Sequence, residues 1–433
     1  MPTNSPLIIV STFWNKQHSS RHGGERAQNK QELQAMSADE QVFFEHPSSI
    51  DDPHPALERL LESLTHLKAP FRVVLVVGTN EKSVEVRADE RVREIASHFP
   101  QLNTFVLGPS EIGSLTRRLE QLDLLDMAPA LTMRSYGAIR NLGLLFAAIQ
   151  GSERVIFLDD DCVVDDPGFL EKALFGLGAA IHSGGHLLGK TGLAMNAKGR
   201  YLTEENVQAV DRFWQWDQSR NRAISELLSP PRMTPAKLAF GGCLALHAGL
   251  FARVSFDPWI TRGEDTDYVI NARLFGTQLY VDDQWSVLHL PGDGVSYPLR
   301  FRQDVFSFIY AHRKLEFAKS QVDLTQVTAE QLKPYPGDFI DGSVAMRARI
   351  TALLRAIKGP ERGVYWQAAL HVVSDATRYA CAHCADYFAF QRKWPIMVDR
   401  LWCDVALRSL FSGERSVDRS ALTGQFKAIE TRV

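Results

Sequence analysis

The 433-residue chain is 45% hydrophobic and 23% charged, enough apolar material to bury a large core and to build one big domain with a smaller one beside it. Its net charge of −3 gives no general attraction for nucleic acid or anionic lipid, so an anionic ligand needs a local site. The start, Met1-Pro2-Thr3-Asn4, lacks the basic beginning and long apolar stretch of a secretory signal, and no run approaches the roughly 18 to 20 apolar residues of a membrane helix. The expectation is a folded cytoplasmic protein without a transmembrane segment and without a nucleic-acid partner.

Leu7 to Thr12, Phe71 to Val77, Thr104 to Leu107 and Arg154 to Leu158 are short runs of Val, Ile, Leu and Phe, the composition of strands buried on both faces. Between them, Pro55 to Leu67, Asp89 to His98 and Ser135 to Gln150 carry apolar residues three or four apart, which predicts helices. Alternating strands and helices give an α/β fold with a mostly parallel, doubly wound sheet, and ligands on such sheets bind beyond the carboxyl ends of the strands.

A polar stretch at about 15–52 is too long for an ordinary strand-to-helix loop and reads as an insertion with one short helix around Lys30 to Phe44. After about Pro298 the strand signals fade. Tyr310 to Ala318, Ser343 to Ile357, Val364 to Phe390 and Ile396 to Phe411 have helical spacing, separated by Pro- and Gly-containing breaks. The division is therefore a first domain over 1–297 and a helical C-terminal domain over 298–433, which covers an acceptor site or mediates a homo-oligomer. The five cysteines are scattered and odd in number, so they form no disulfide framework. Cys381-Ala-His-Cys384 has a metal-ligand spacing but no second such pair, and in a helix it reads as packing thiols before zinc.

The strongest chemical signal is Arg154-Val155-Ile156-Phe157-Leu158-Asp159-Asp160-Asp161, a buried strand that ends in three carboxylates. Like charges repel at a strand end unless a cation neutralises them. Hard oxygen ligands there suit Mg²⁺ or Mn²⁺ bridging phosphates, whereas the plainer reading is a solvated acidic loop. Upstream, Ser135-Tyr136-Gly137-Ala138-Ile139-Arg140-Asn141-Leu142-Gly143 opens a helix whose Arg140 and free N–H groups face a diphosphate or simply cover the helix surface. Downstream come Phe240-Gly241-Gly242-Cys243, then Arg262-Gly263-Glu264-Asp265-Thr266-Asp267, and Val287-Leu288-His289-Leu290.

In this order, over roughly Ser135 to Pro291, the motifs make the chain resemble the glycosyltransferase family 2 kind of GT-A enzyme. That pattern has an Ala-Arg-Asn-x-Gly helix, an Asp-x-Asp strand, a Gly-Gly strand, a Glu-Asp pair opening a helix, and a late His. The resemblance implies a GT-A fold and a metal-dependent hexose transfer from a nucleotide diphosphate sugar to a carbohydrate or small-molecule acceptor. It makes Asp161 the direct metal ligand and puts Asp159 on the metal and nearer the donor ribose, with Asp160 beside them. His289 becomes a further metal ligand or a diphosphate contact. Gly241 and Gly242 let backbone approach the donor sugar and acceptor. Asp265, or else Glu264, is the general base of an inverting reaction, the alternative for both being helix capping. Trp259 and Arg262 fall on the acceptor side, although core packing of Trp259 is the other reading. Trp214 and Trp216 are left without a role.

The chain also departs from that pattern. Val76-Val77-Gly78-Thr79-Asn80 has no carboxylate where the family reads the base, leaving Thr12, Thr79 or Asn80 to supply hydrogen bonds. The turn after the first strand, Ser11-Thr12-Phe13-Trp14-Asn15, and the stretch Arg253-Val254-Ser255-Phe256-Asp257 also differ. The chain reads as an outlying member. A retaining GT-A transferase, a sugar nucleotidyltransferase and a nucleotide-sugar binding protein remain the alternatives.

Overall fold

The computed structural model describes residues 5–16, 43–181, 184–204, 209–228, 230–292, 297–359 and 362–411. The first half follows the expectation. β1 (Leu7–Asn15), β3 (Arg72–Thr79), β4 (Thr104–Leu107) and β5 (Arg154–Asp159) lie parallel in the order β4-β3-β1-β5. Helices α1 (Ala56–Leu64), α2 (Glu85–Ser97), α3 (Pro109–Gln121) and α4 (Tyr136–Ile149) connect them. The chain leaves β1 toward β3 and β4 and returns on its other side as β5, so the strand order reverses between β1 and β5. At such a switch point the loops diverge and a crevice opens at the carboxyl ends, here beside Trp14 and Asp159.

The second half is more mixed than predicted. β6 (Cys162–Val163), β7 (Gly189–Met195), β8 (Met233–Pro235), β9 (Leu244–His247) and β10 (Tyr280–His289) extend the sheet as β5-β9-β7-β10-β6, with β8 on β10. β9 is antiparallel to both β5 and β7, and β10 is parallel to β7 but antiparallel to β6 and β8. β2 (Ser48–Ser49) adds a parallel pairing at the end of β1. Helices α5 (Phe169–Leu174), α6 (Trp216–Leu227), α7 (Ala248–Phe251) and α8 (Glu264–Leu274) fill the connections.

The helix expected around Lys30 to Phe44 lies outside the described residues except for its last two positions, which are not helical. The end of the 15–52 stretch is anchored rather than free. Phe44 is buried against Phe13 and Tyr136, at ring-centroid distances of 4.3 and 4.7 Å, and its N–H donates to Asn80 Oδ1 at 3.0 Å.

Among the described residues four further α-helices follow: α9 (Tyr297–Ala318), α10 (Val344–Lys358), α11 (Arg362–Leu401) and α12 (Val405–Phe411). Where two helices separated near Pro395 are predicted, α11 runs unbroken through it. A proline inside a helix removes one N–H and crowds the preceding turn, but Trp394 and Met397 on either side are fully buried and the Trp394 indole N–H donates to the Phe251 carbonyl at 2.7 Å. Burying an indole and a thioether contributes about 1.5–3 kcal/mol each, which offsets the lost bond. Two cores result. One holds α9, α10 and the first part of α11; the other, under the sheet, contains Phe390, Trp394, Met397, Val398 and Leu401 from the end of α11 and Leu407 and Phe411 from α12.

Candidate active site

The three aspartates at the end of β5 meet three different fates. Asp160 turns inward: its Oδ2 accepts from Thr12 Oγ1 at 2.8 Å and from the Phe13 N–H at 3.0 Å, and burial, with Asp161 next, pushes its pKa well up. Thr12 Oγ1 also accepts from the Trp14 indole at 2.8 Å and is wholly buried. Both residues, expected at the donor, lock β5 to β1 through polar groups satisfied inside; Asp160 also lines the cleft, and Thr12 does not. Asp159 Oδ1 takes Arg140 Nη2 at 2.6 Å. Asp161 faces the next strand: antiparallel pairing sets His289 of β10 opposite Cys162, and His289 Nε2 lies 3.1 Å from Asp161 Oδ2. Burial opposes the charged imidazolium, but the bond and charge of Asp161 outweigh it and raise the His289 pKa.

Arg140 reaches this point from α4, whose N-cap Ser135 accepts from the Ala138 N–H. It is buried and bonds Glu264 Oε1 through Nε at 3.2 Å as well as Asp159. Its Nη1 has no partner among the described residues. The guanidinium expected to meet a diphosphate is thus a bridge between two carboxylates, neutralising charge that would otherwise be stranded. The glycines serve this bridge. A Cβ on Gly241 would sit 2.4 Å from Arg140 Nη2, and one on Gly242 would sit 2.5 Å from Cys162 Sγ and 3.2 Å from Asp159 Oδ2. Their absent side chains make room for the protein's own groups, which is a different reason from the close ligand approach expected.

Glu264 and Asp265 open α8 after Gly263, whose φ of 70° lies in the left-handed region that favours glycine. Burial, partly offset by Arg140, lifts Glu264 to a pKa of about 7. Asp265 is half-buried, with Oδ2 accepting from the Gly241 N–H at 2.8 Å and Oδ1 from the Thr266 N–H at 2.6 Å. Capping and site formation coexist here, since one carboxylate oxygen serves its own helix and the other ties α8 to the Gly-Gly turn.

Asp159, Asp161, Arg140, Gly241, Glu264, Asp265, Arg262 and His289 all line one cleft of about 940 Å³. Its far wall was not legible. Trp216, at the start of α6, lies beneath the guanidinium groups of Arg220, Arg262 and Arg300, which are 5.5, 5.8 and 5.4 Å from its ring centroid, within reach of the ring's negative face. Arg262 is itself gripped by Asp304 and, at 2.7 Å, by Glu45; Arg300 reaches Glu45 at 3.4 Å. Arg220 touches the Trp216 and Phe240 rings and has no ion-paired carboxylate among the described residues. The available signal was the four-residue step from Trp216 to Arg220, which puts both on one helix face. A second chamber of about 470 Å³ adjoins the cleft and shares Trp216, Asp217 and Arg300 with it.

Trp259 is not among the cleft residues. It packs against His383 and Phe390 under α11, with the Tyr379 hydroxyl donating to its carbonyl at 2.6 Å, so core packing is its role. Thr79 is wholly buried and Asn80 is engaged by Phe44.

Among the described residues no group of three or more His, Cys, Asp or Glu side chains converges to hold a metal. The triad of Asp159, Asp161 and His289 reduces to a pair, because Arg140 holds Asp159. The pair still fits a divalent cation: two donors 3.1 Å apart match neighbouring ligands of an octahedral ion, about 3 Å apart for bonds of about 2.1 Å, and such ions often take only one or two protein carboxylates with phosphates and water completing the shell.

No protein-family model and no curated protein sequence matches the chain. Similar solved structures include the mannosyltransferase PcManGT from Pyrobaculum calidifontis in complex with GDP-Man and Mn²⁺, 13% identical with a TM-score of 0.41 over 95% of this chain and 89% of that one. GalNAc-T7 with UDP, GalNAc and Mn²⁺ is similar at 11% identity and a TM-score of 0.34, over 83% of this chain and 59% of that one. Likeness at this level leaves the activity to be argued from the site.

Proposed function

We propose that the chain is a metal-dependent glycosyltransferase with a GT-A type catalytic region, transferring a hexose from a nucleoside diphosphate sugar to an acceptor hydroxyl. The observation that carries this reading is the convergence, in one cleft at the β1–β5 switch point, of the Asp161–His289 pair, the Glu264–Asp265 helix start and the Arg220–Trp216 wall. Asp161 and His289 would hold Mn²⁺ or Mg²⁺, which when bound offsets charge growing on a departing diphosphate. Arg220, rather than Arg140, is the cation free to face the same phosphates.

In the inverting form of the reaction the acceptor oxygen bonds the sugar's anomeric carbon. The bond from that carbon to the diphosphate breaks with its electron pair leaving on the nucleotide, and the acceptor proton goes to a carboxylate. Asp265 is that carboxylate, held by the Gly241 N–H with one edge toward the cleft; Glu264 and Arg140 position it and keep Asp159 in place. The carboxyl ends of the strands supply the donor side, and the chamber beyond Trp216 receives the acceptor.

The test is incubation with a panel of nucleoside diphosphate sugars and Mn²⁺ or Mg²⁺, following release of the nucleoside diphosphate. Metal-dependent release with one donor is expected, and Asp161→Asn abolishes it while far-ultraviolet circular dichroism shows the fold retained. Full activity in that variant, or pyrophosphate release from a nucleoside triphosphate instead, overturns the reading. The anomeric configuration of the product by NMR decides between inversion and retention.

A further inference from the structure

The corner where α10 meets α11 carries side chains that no part of the described fold covers. α10 buries Val344, Ala348, Thr351, Ala352 and Ala356. On its opposite face Met346, Leu353 and Ile357 are 62, 41 and 48% exposed, and at the start of α11 Trp366 and Leu370 are 46 and 69% exposed. Isolated exposed apolar residues are ordinary, but here Lys358 ends one helix and Arg362 begins the next, so Ile357 and Trp366 flank one corner. The charge there is one-sided. Val344 to Val373 contains five Lys and Arg residues and a single acid, Glu361. Arg347 and Arg355 turn inward, to the Phe213 carbonyl at 2.9 Å and to Asp211 at 2.7 Å, whereas Arg349, Lys358 and Arg362 are exposed.

From this we propose that the α10–α11 corner docks the protein on an anionic membrane surface, with Met346, Leu353, Ile357, Trp366 and Leu370 entering the headgroup boundary and Arg349, Lys358 and Arg362 meeting lipid phosphates. Protruding apolar side chains edged by basic ones are the pattern of an interfacial helix that lies on a bilayer. No helix among the described residues is long and apolar enough to cross one. A net charge of −3 for the whole chain gives no overall attraction, so binding rests on this local patch and is sensitive to salt. Charge also decides between occupants: a second copy presenting the same cationic face would be repelled, while an anionic surface complements it. The chamber beside the cleft runs from Trp216 and Arg300 to Arg355, Gly359 and Tyr365 at this corner. Arg355 turns inward to Asp211, and Gly359 and Tyr365 are buried, so these chamber residues lie behind the docking face, and docking does not rest on the glycosyl-transfer reading.

The experiment is co-sedimentation of the full chain, without donor or acceptor, with vesicles of phosphatidylcholine alone and of phosphatidylcholine mixed with phosphatidylglycerol. Binding to the mixed vesicles is expected, weakened by added NaCl and falling about fivefold for each basic residue removed, as in Arg349→Gln and Lys358→Gln. Leu353→Asp combined with Ile357→Asp, both at exposed positions, abolishes it while leaving the melting temperature and the donor-hydrolysis rate in solution unchanged. Absence of binding to mixed vesicles, binding that these variants leave intact, or a dimer in light scattering that they dissociate would each overturn the proposal. So would retention on a soluble polyanion without retention on vesicles.

Discussion

Three adjacent aspartates with the same intrinsic acidity become three different groups because each finds a different neighbour. Asp160 is locked by Thr12 and the Phe13 N–H, Asp159 by Arg140, and Asp161 alone is left with a histidine at the cleft. The same holds for the neighbouring carboxylates of α8. Glu264, with a pKa of about 7, is protonated below that pH and ionised above it, and only the ionised form completes the ion pair with Arg140. Transfer to an acceptor is accordingly expected to rise with pH through about 7. Glu264→Gln flattens that limb while keeping part of the activity; Asp265→Asn, which removes the base, lowers the rate by about 10²–10⁴-fold at every pH. A pH–rate profile of the two variants checks this, and an unchanged limb in Glu264→Gln would exclude the glutamate as its source.

At the scale of elements, α11 decides how the helical region relates to the sheet. Its first part packs with α9 and α10, and its end is core to the sheet. A buried ion triad adds a second tie: Lys314 of α9 lies between Asp257, at 2.9 Å, and Asp267 of α8, with the side chain of Lys314 wholly buried. Breaking one member of such a group leaves an uncompensated buried charge. Thus α8, which presents Glu264 and Asp265, is held by the helices behind it. Trp394→Ala, on the far half of α11, is expected to destabilise the whole chain by about 3–5 kcal/mol. Denaturant unfolding followed by both tryptophan fluorescence and far-ultraviolet circular dichroism should then give one shifted transition; loss of only part of the signal would mean that the two cores unfold separately.

For the whole molecule, the cleft is closed by segments remote in sequence. Glu45 from the returning end of the 15–52 stretch joins Arg262 before α8 and Arg300 in α9. Although burial works the other way, Arg262 and then Arg300 hold Glu45 at a pKa of about 2. Because the folded value lies below the ordinary 4.5, the stabilisation is present above pH 4.5 and is lost as pH falls toward 2. Glu45→Gln is expected to cost about 3 kcal/mol at neutral pH and progressively less through that acid window, as urea unfolding over a pH series would measure. A constant difference at all pH values would assign the effect to packing instead. The sequence by itself determined the parallel half of the sheet and the order of its motifs, because buried strands and amphipathic helices write their period directly into neighbouring residues. The acidic strand end, the Glu-Asp helix start and the late histidine were legible for the same reason: each is a local cluster. Only the tertiary structure decided which of those side chains stayed available. Arg140 was consumed by Asp159 and Glu264, Thr12 and Asp160 by each other, and Trp259 by α11, while Trp216 and Arg220 came to line the cleft. Pairing between segments remote in sequence, as in Arg140 with Glu264 or Thr12 with Asp160, depends on where the chain brings two groups together, and no local pattern encodes that distance.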